Sequence, residues 1–362
     1  VRILQVLGSS AGGVAQHVAQ ISDVLVSAGH DVLVASPASL SLKFTAVTRH
    51  AAVEIADRPR AHDITVVGQL RELAKSADVV HAHGLRAAAL AGFAVRSLAR
   101  RNRPRLVVTL HNLPVGLRQV QAISVVLERV VAWSADLVLG VSLDLVERMA
   151  ARGARVGGRA LVPAPALGAP SAPRVRLRTA LFDETPARGT DVPLVLTIAR
   201  LAPQKGLDTV VQAATLVAGE VADVRWVVAG DGPLRGELQA SIDSYGAPVT
   251  LLGRRSDVAD LLEAADVVVN AAVWEGQPLA VQEALRAGRA VVATDAGGTR
   301  EVTGEAALLV PVSDSAELAR AVTSVLTDAD LRMGLEQGSR RQSETLPTAD
   351  LVLESLLGAY GA

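Results

Sequence analysis

A chain of 362 residues, 50% hydrophobic but only 2% aromatic, exceeds what one hydrophobic core ordinarily supports and reads as two domains; so few aromatics argue against the stacking platforms of a single-stranded nucleic-acid binder. The absence of Cys excludes a disulfide framework, thiol catalysis and a thiolate zinc site, and the seven His, all between His17 and His111, stand in no zinc-helix spacing. A net charge of −1 hides an asymmetry: residues 1–180 hold 22 Lys and Arg against 11 Asp and Glu, which points to an anionic partner for the basic half, whether membrane surface, anionic acceptor or nucleic acid.

The chain opens on the strand-like VRILQVL, without the pattern of a signal peptide. Its longest apolar segments, such as 87–95, are too short to span a bilayer, so a cytoplasmic protein is expected. A strand over 3–7, a helix over 14–28 and a strand over 31–35 lead into apolar runs at 79–82, 106–110 and 137–141, with helical patterns between them. Continuous apolar strands separated by helices signal a parallel sheet covered on both faces. Five prolines (Pro163, Pro165, Pro170, Pro173, Pro186) then break the pattern and mark a linker. The alternation restarts with strands over 194–198, 226–229, 249–252, 267–270, 290–294 and 308–310. The fold class is α/β, two doubly wound Rossmann-like domains facing a central cleft. Expected boundaries are 1–168, a Pro-rich linker 169–191, 192–345, and a C-terminal helix within 346–362 that crosses back to the first domain.

Ligands of such sheets gather beyond the carboxyl ends of the strands, where helix N-termini offer unpaired N–H groups to anions. After the first strand comes Gly8-Ser9-Ser10-Ala11-Gly12-Gly13, a glycine turn that lets backbone approach a phosphate but does not match G-x-G-x-x-G. After Ile198 comes ARLAPQKG, with Arg200 and Lys205. Only Lys43, Lys75 and Lys205 are lysines in an arginine-rich chain, so a retained Lys suggests a site that wants a compact point charge, such as a diphosphate. His111 ends a strand in TLHNLP, placed to act as acid, base or hydrogen-bond donor. His81 and His83 alternate in VVHAHG and face one side, lining the same cleft or capping the strand. Gly230-Asp231-Gly232-Pro233-Leu234-Arg235-Gly236 is a turn into a helix, and Asp328-Ala329-Asp330 reads as a helix N-cap rather than a metal site.

The densest segment runs from Asp266 to Glu301: strand, loop with Glu275, helix from Pro278 with Glu283, strand, then a Gly297-Gly298 turn before Glu301. Glu275 and Glu283 have seven residues between them, and both carboxylates suit vicinal hydroxyls of a sugar or ribose. With the Arg200 and Lys205 loop, the E-x7-E pair in WEGQPLAVQEALRAG and the following VVATDAGGTREV, the chain resembles the retaining glycosyltransferases of family 4 with the GT-B fold. The resemblance is strong from Leu194 to Pro311 and weaker before it.

It implies transfer of a hexose-type sugar from a nucleotide diphosphate sugar, with no metal and no cofactor beyond that co-substrate, UDP- and GDP-linked donors being undistinguished. It implies that Arg200, Lys205, Gly12 and Gly13 bind the donor phosphates, and that Glu283 holds the ribose. Arg254, in the Arg254-Arg255 turn, would lie near the base. Glu275 with the backbone of Gln277, Pro278 and Leu279 would contact the sugar, and His111 a sugar hydroxyl or the reaction centre; catalysis would rest on His111, Glu275, Lys205 and Arg200. Attack from the front face, with the leaving phosphate accepting the acceptor's proton, would make the cations central. The Val162-Pro163-Ala164-Pro165 turn departs from the family's usual pattern and leaves the hinge geometry open.

The acceptor is open, with anionic, lipid-linked and cell-envelope acceptors among the candidates. Arg96, Arg100, Arg101, Arg103 and Arg105 with Arg174, Arg176 and Arg178 form a basic cluster suited to peripheral contact with an anionic membrane, at its inner face. No nucleic-acid partner is expected. Two alternatives remain: an epimerase of the same architecture, which would change the donor without an acceptor, and a non-catalytic sugar-nucleotide-binding protein.

Overall fold

The computed structural model describes residues 1–9, 13–45, 48–56, 60–113, 118–183 and 192–362. The chain divides into two compact units, one of residues 1–163 with 347–362 and one of residues 164–346.

The first unit is built on a seven-stranded sheet of β1 (Arg2–Leu7), β2 (Asp31–Ser36), β3 (Arg49–Ala52), β4 (Val79–His83), β5 (Arg105–Leu110), β6 (Leu137–Gly140) and β7 (Val156–Arg159). Its spatial order is β3-β2-β1-β4-β5-β6-β7, all parallel. The two strands that sequence patterning does not reveal, β3 (RHAA) and β7 (VGGR), are its edges. An edge strand is buried by neighbours on one side only, so it carries no continuous apolar run. The helix Ala349–Tyr360 belongs to this unit, where the Tyr360 hydroxyl meets His81 and Arg105 Nε donates to the Ala359 carbonyl at 2.8 Å.

The second unit holds β8 (Leu194–Ile198), β9 (Arg225–Ala229), β10 (Val249–Gly253), β11 (Val267–Asn270), β12 (Ala290–Thr294) and β13 (Ala307–Val310) in the order β10-β9-β8-β11-β12-β13, again all parallel. Alternate residues of these apolar strands enter different cores. Val195, Val267 and Val269 pack on one face with Trp226 and the helix Leu207–Glu220; Leu194, Leu196 and Val268 pack on the other with the helix Leu279–Arg286. Burial on both faces explains why these strands read as unbroken hydrophobic runs.

Within the segment expected to be linker, Arg174–Asp183 is helical and lies in the second unit. Asp266 ties it to the sheet: its carboxylate accepts from Arg174 at 2.5 Å, from Arg178 at 3.2 Å and from the Leu194 N–H at 2.7 Å. The basic cluster read from the sequence as one anion-facing surface therefore divides. Arg174 and Arg178 pair with Asp266. Arg96 pairs with Asp136, and Arg103 and Arg105 donate to backbone carbonyls. Arg100, Arg101 and Arg176 are exposed. No helix among the described residues is long and apolar enough to cross a membrane.

Removing one partner of a buried pair leaves an uncompensated charge, and Arg178 is 6% exposed. Asp266→Ala is expected to lower unfolding stability by about 3 kcal/mol, measured by urea denaturation; a loss below about 1 kcal/mol would show that Asp266 does not anchor the helix.

Candidate functional site

In both sheets the strand order reverses beside the first strand of the unit, between β1 and β4 and between β8 and β11. Loops leaving adjacent strands part there, opening a crevice at the carboxyl ends where ligands of this architecture bind.

In the second unit the loops after β8 and β11 carry the residues singled out by the sequence. Lys205 ends a short 3-10 turn (Pro203–Lys205) and forms an ion pair with Glu275 across the crevice. Both side chains are largely buried, 23% and 14% exposed, so each charge stabilises the other where solvent screening is weak. Backbone contacts hold the two loops together. The Val273 N–H donates to the Gln204 carbonyl at 2.9 Å. Gly206, at φ +60, lies so close to Ala271 that a Cβ would sit 1.9 Å from its carbonyl oxygen.

The turn after β12 supports Glu275 from behind. The Gly298 N–H donates to the Glu275 carbonyl at 2.9 Å, and a Cβ on Gly297 (φ +54) would meet that same oxygen at 2.1 Å and the Trp274 indole nitrogen at 2.7 Å. After β9, a Cβ on Gly230 would lie 1.8 Å from the Ala199 carbonyl and one on Gly232 2.4 Å from that of Leu201. The Gly230-to-Gly236 segment is thus a turn whose glycines let it press against the Arg200 loop. Arg200 itself is exposed, and no hydrogen bond or ion pair engages its guanidinium among the described residues.

Pro278 is the N-cap of the helix Leu279–Arg286, which therefore starts one residue later than expected, and no side chain caps that helix. The Pro278 carbonyl accepts from the Gln282 N–H at 3.1 Å. Glu283 is half-buried and, among the described residues, its carboxylate has no hydrogen-bond or ion-pair partner; burial pushes its carboxyl above the ordinary carboxylate range, against the pull of Arg286. Gln277 is buried, 8% exposed. Arg254, after β10, is exposed without an ion pair among the described residues, whereas Arg255 pairs with Asp257 at 2.6 Å. Asp328 accepts from the Leu331 N–H as the N-cap of the helix Ala329–Ser343.

Sequence reasoning missed Gln282 and Trp274. Gln282 is fully buried and its Oε1 accepts from the Ala164 N–H at 3.0 Å, while Arg286 donates to the Ala164 carbonyl at 2.8 Å. The departing Pro163-Ala164-Pro165 turn is therefore held by the helix that carries Glu283. A Gln among apolar residues inside the E-x7-E helix was the available signal.

In the first unit Gly13 opens the helix Gly13–Ser27, with open space where a Cβ would be; Gly12 lies outside the described residues. His111 follows β5 and is buried beside His83, whose Nδ1 is 3.2 Å from His111 Nε2. His81 and His83 line a polar interior rather than the strand's exposed rim. His83 Nε2 bonds Gln5 Oε1 at 2.7 Å, which requires the proton on Nε2 and leaves Nδ1 as acceptor. The Gln5 amide donates to the Tyr360 hydroxyl at 3.3 Å, so that hydroxyl donates in turn to His81 Nδ1 at 2.8 Å, and His81 Nε2–H donates to Thr109 Oγ1 at 2.8 Å. Burial lowers the pKa of all these rings, to about 3 for His81 and well below 6.5 for His83 and His111. His111 is thus a neutral hydrogen-bonding group. A separate cavity of about 640 Å³, lined by Ser9, Glu54, Ile55, Ala56, Arg60, His62 and Asp63, opens near the carboxyl ends of β1 and β3.

Two family models match consecutive parts of the chain: Glycosyltransferase Family 4 over residues 11–160 and Glycosyl transferases group 1 over residues 192–328. The chain belongs to glycosyltransferase family 4. Among curated members, the alpha-D-kanosaminyltransferase of Streptomyces kanamyceticus is 30% identical over 180 residues, 47% of this chain and 46% of that protein. The lipopolysaccharide core biosynthesis glycosyltransferase LpsE of Rhizobium meliloti is 29% identical over 181 residues, 49% of this chain and 50% of that protein. The chain spans about half the length of the curated relatives it matches. The family's two-domain GT-B fold is shared over the whole chain with HepE of Anabaena, solved with UDP and glucose, at a TM-score of 0.80, 19% identity and coverage of 100% and 99%.

Gly206→Ala places a side chain in the left-handed region and against the Ala271 carbonyl. It is expected to lower stability by about 2 kcal/mol or more, read as a fall in the thermal midpoint, while Gly236→Ala, in open space on the helix Arg235–Tyr245, does not lower it. Equal midpoints for Gly206→Ala and the parent would disprove the tight loop contact.

Proposed function

We propose that this chain is a retaining glycosyltransferase that moves a hexose from a uridine diphosphate sugar to an acceptor held by the first unit. The observation that carries the reading is the Lys205–Glu275 ion pair at the switch point between β8 and β11, with the unengaged Arg200 guanidinium at the same strand edge. A diphosphate entering there exchanges water for two protein cations; Lys205 turns from Glu275 to phosphate while Glu275 is freed for the sugar's hydroxyls. The choice of UDP is supported by the complexes of HepE with UDP and with UDP-glucose.

In the reaction, the bond between the anomeric carbon and the phosphate oxygen breaks as the acceptor oxygen bonds the same face of that carbon. The acceptor's proton passes to the departing phosphate. Negative charge grows on the diphosphate, and Lys205 and Arg200 stabilise it more in the transition state than in the ground state. On this reading no Mg²⁺ or Mn²⁺ need bridge the phosphates. Glu283, whose carboxyl burial pushes upward and which has no side-chain partner among the described residues, accepts from the ribose hydroxyls. Arg254 would meet the base; in the first unit, the Gly13 backbone N–H and neutral His111 are groups suited to a phosphate and a hydroxyl. The backbone of Gln277, Pro278 and Leu279 contacts the sugar at the uncapped helix start. The cavity of about 640 Å³ in the first unit is the acceptor pocket, its Arg60 and His62 suited to hydroxyl-bearing or anionic acceptors, lipid-linked ones included.

Loss of a charge-assisted hydrogen bond to the ribose corresponds to about 10- to 100-fold in affinity. Glu283→Ala is expected to raise the donor KM by that factor with kcat largely kept, whereas Glu275→Ala lowers kcat about 10²-fold. Donor turnover measured by NMR with and without a panel of hydroxyl acceptors checks both. Identical kinetic profiles would defeat the division of roles, and a changed sugar configuration in donor alone would establish an epimerase instead.

A further inference from the structure

We propose that the second unit holds a binding site for a phosphorylated polyol of sugar phosphate size, separate from the donor loops, in a cavity of about 660 Å³ at the amino ends of β8 and β11. Pro193 and Asp266, which immediately precede those strands, line it. The helices Arg174–Asp183 and Ala329–Ser343 supply Arg174, Arg178 and Arg332. The donor loops leave the carboxyl ends of the same strands, and the five residues of β8 separate the two edges by about 15 Å.

The cations here exceed what the protein balances. Three arginines line the cavity against two carboxylates, Asp266 and Glu336. Both oxygens of Asp266 are already taken, by Arg174, Arg178 and the Leu194 N–H. Arg332 forms no ion pair among the described residues: its Nη1 meets the Val325 and Leu326 carbonyls, each at the long distance of 3.4 Å, and its Nε and Nη2 have no hydrogen-bond partner among them. Arg178, 6% exposed, donates to the Val192 and Ala264 carbonyls, yet its Nε is buried without a partner. Burial lowers the Arg174 pKa, and the positive charges of Arg178 and Arg289 act in the same direction, against Asp266 and Glu263. A further anion in the cavity offsets this crowding of like charge.

The rest of the lining sets the class of ligand. Guanidinium forks match the oxygens of a phosphate. The Glu336 carboxylate, which has no hydrogen bond or ion pair among the described residues, suits the hydroxyls of a polyol, and Leu326 and Met333 suit its carbon face. A cavity of about 660 Å³ has the size of a small-molecule site and is larger than an inorganic phosphate fills. The site does not rest on the proposed transfer reaction, whose cations Lys205 and Arg200 stand on a loop at the other end of the strands.

The test is calorimetric titration of the full chain with glucose 6-phosphate, inorganic phosphate and glucose, with and without saturating UDP. Expected are one equivalent of glucose 6-phosphate bound with a Kd below about 1 mM, weaker binding of inorganic phosphate, none of glucose, and no displacement by UDP. Arg332→Met is expected to weaken glucose 6-phosphate at least about tenfold, and Lys205→Met to leave it unchanged. No saturable binding of glucose 6-phosphate or inorganic phosphate by the parent chain, or undiminished binding by folded Arg332→Met, overturns the site. Should Arg332→Met fail to fold, competition in the parent chain decides: displacement of glucose 6-phosphate by UDP overturns it.

Discussion

The ion pair between Lys205 and Glu275 is the interaction around which the second unit is arranged. Two opposite charges, each largely removed from water, persist only when their partner is held in place, because either one alone would be destabilising by about 3–5 kcal/mol. The surrounding backbone does that holding. Gly206 against Ala271, Gly297 against Glu275 and Gly230 against Ala199 bring four strand-end loops into contact that any side chain would prevent. On the proposed function, the pair is preorganised for a ligand whose own charges replace those it now satisfies internally.

The first unit meets the same strand-edge geometry with different chemistry. Its switch point is filled by neutral, hydrogen-bonded groups, Gln5, His81, His83, His111, Thr109 and Tyr360, rather than by charges. The C-terminal helix closes this network, since the Tyr360 hydroxyl accepts from Gln5 and donates to His81. Chain segments more than 300 residues apart in sequence thus determine which nitrogen of each ring bears the proton, and so what His111 can offer.

How far the sequence revealed this depends on which forces leave a local pattern. Strands buried on both faces do, and β8, β11 and β12 lie where their apolar runs place them. The edge strands β3 and β7 do not, because half-buried polar or glycine-rich segments look like loops. The scarcity of lysine drew attention to Lys205, but its partner could not be read, since pairing across 70 residues is a property of parallel topology. Likewise His17, His83 and His111 stand far apart in sequence and meet only because β1, β4 and β5 are adjacent. The arginine cluster misled in the opposite direction: proximity in sequence said nothing about Asp266, Asp136 and the carbonyls that engage most of it.

The central claim is that Lys205 exchanges Glu275 for the diphosphate of the donor. Its most direct test is calorimetric titration of UDP and of uridine into the parent chain and Lys205→Met. The account predicts UDP affinity at least about tenfold weaker in the variant, with uridine binding equally to both. Equal UDP affinity in a folded Lys205→Met chain would contradict it.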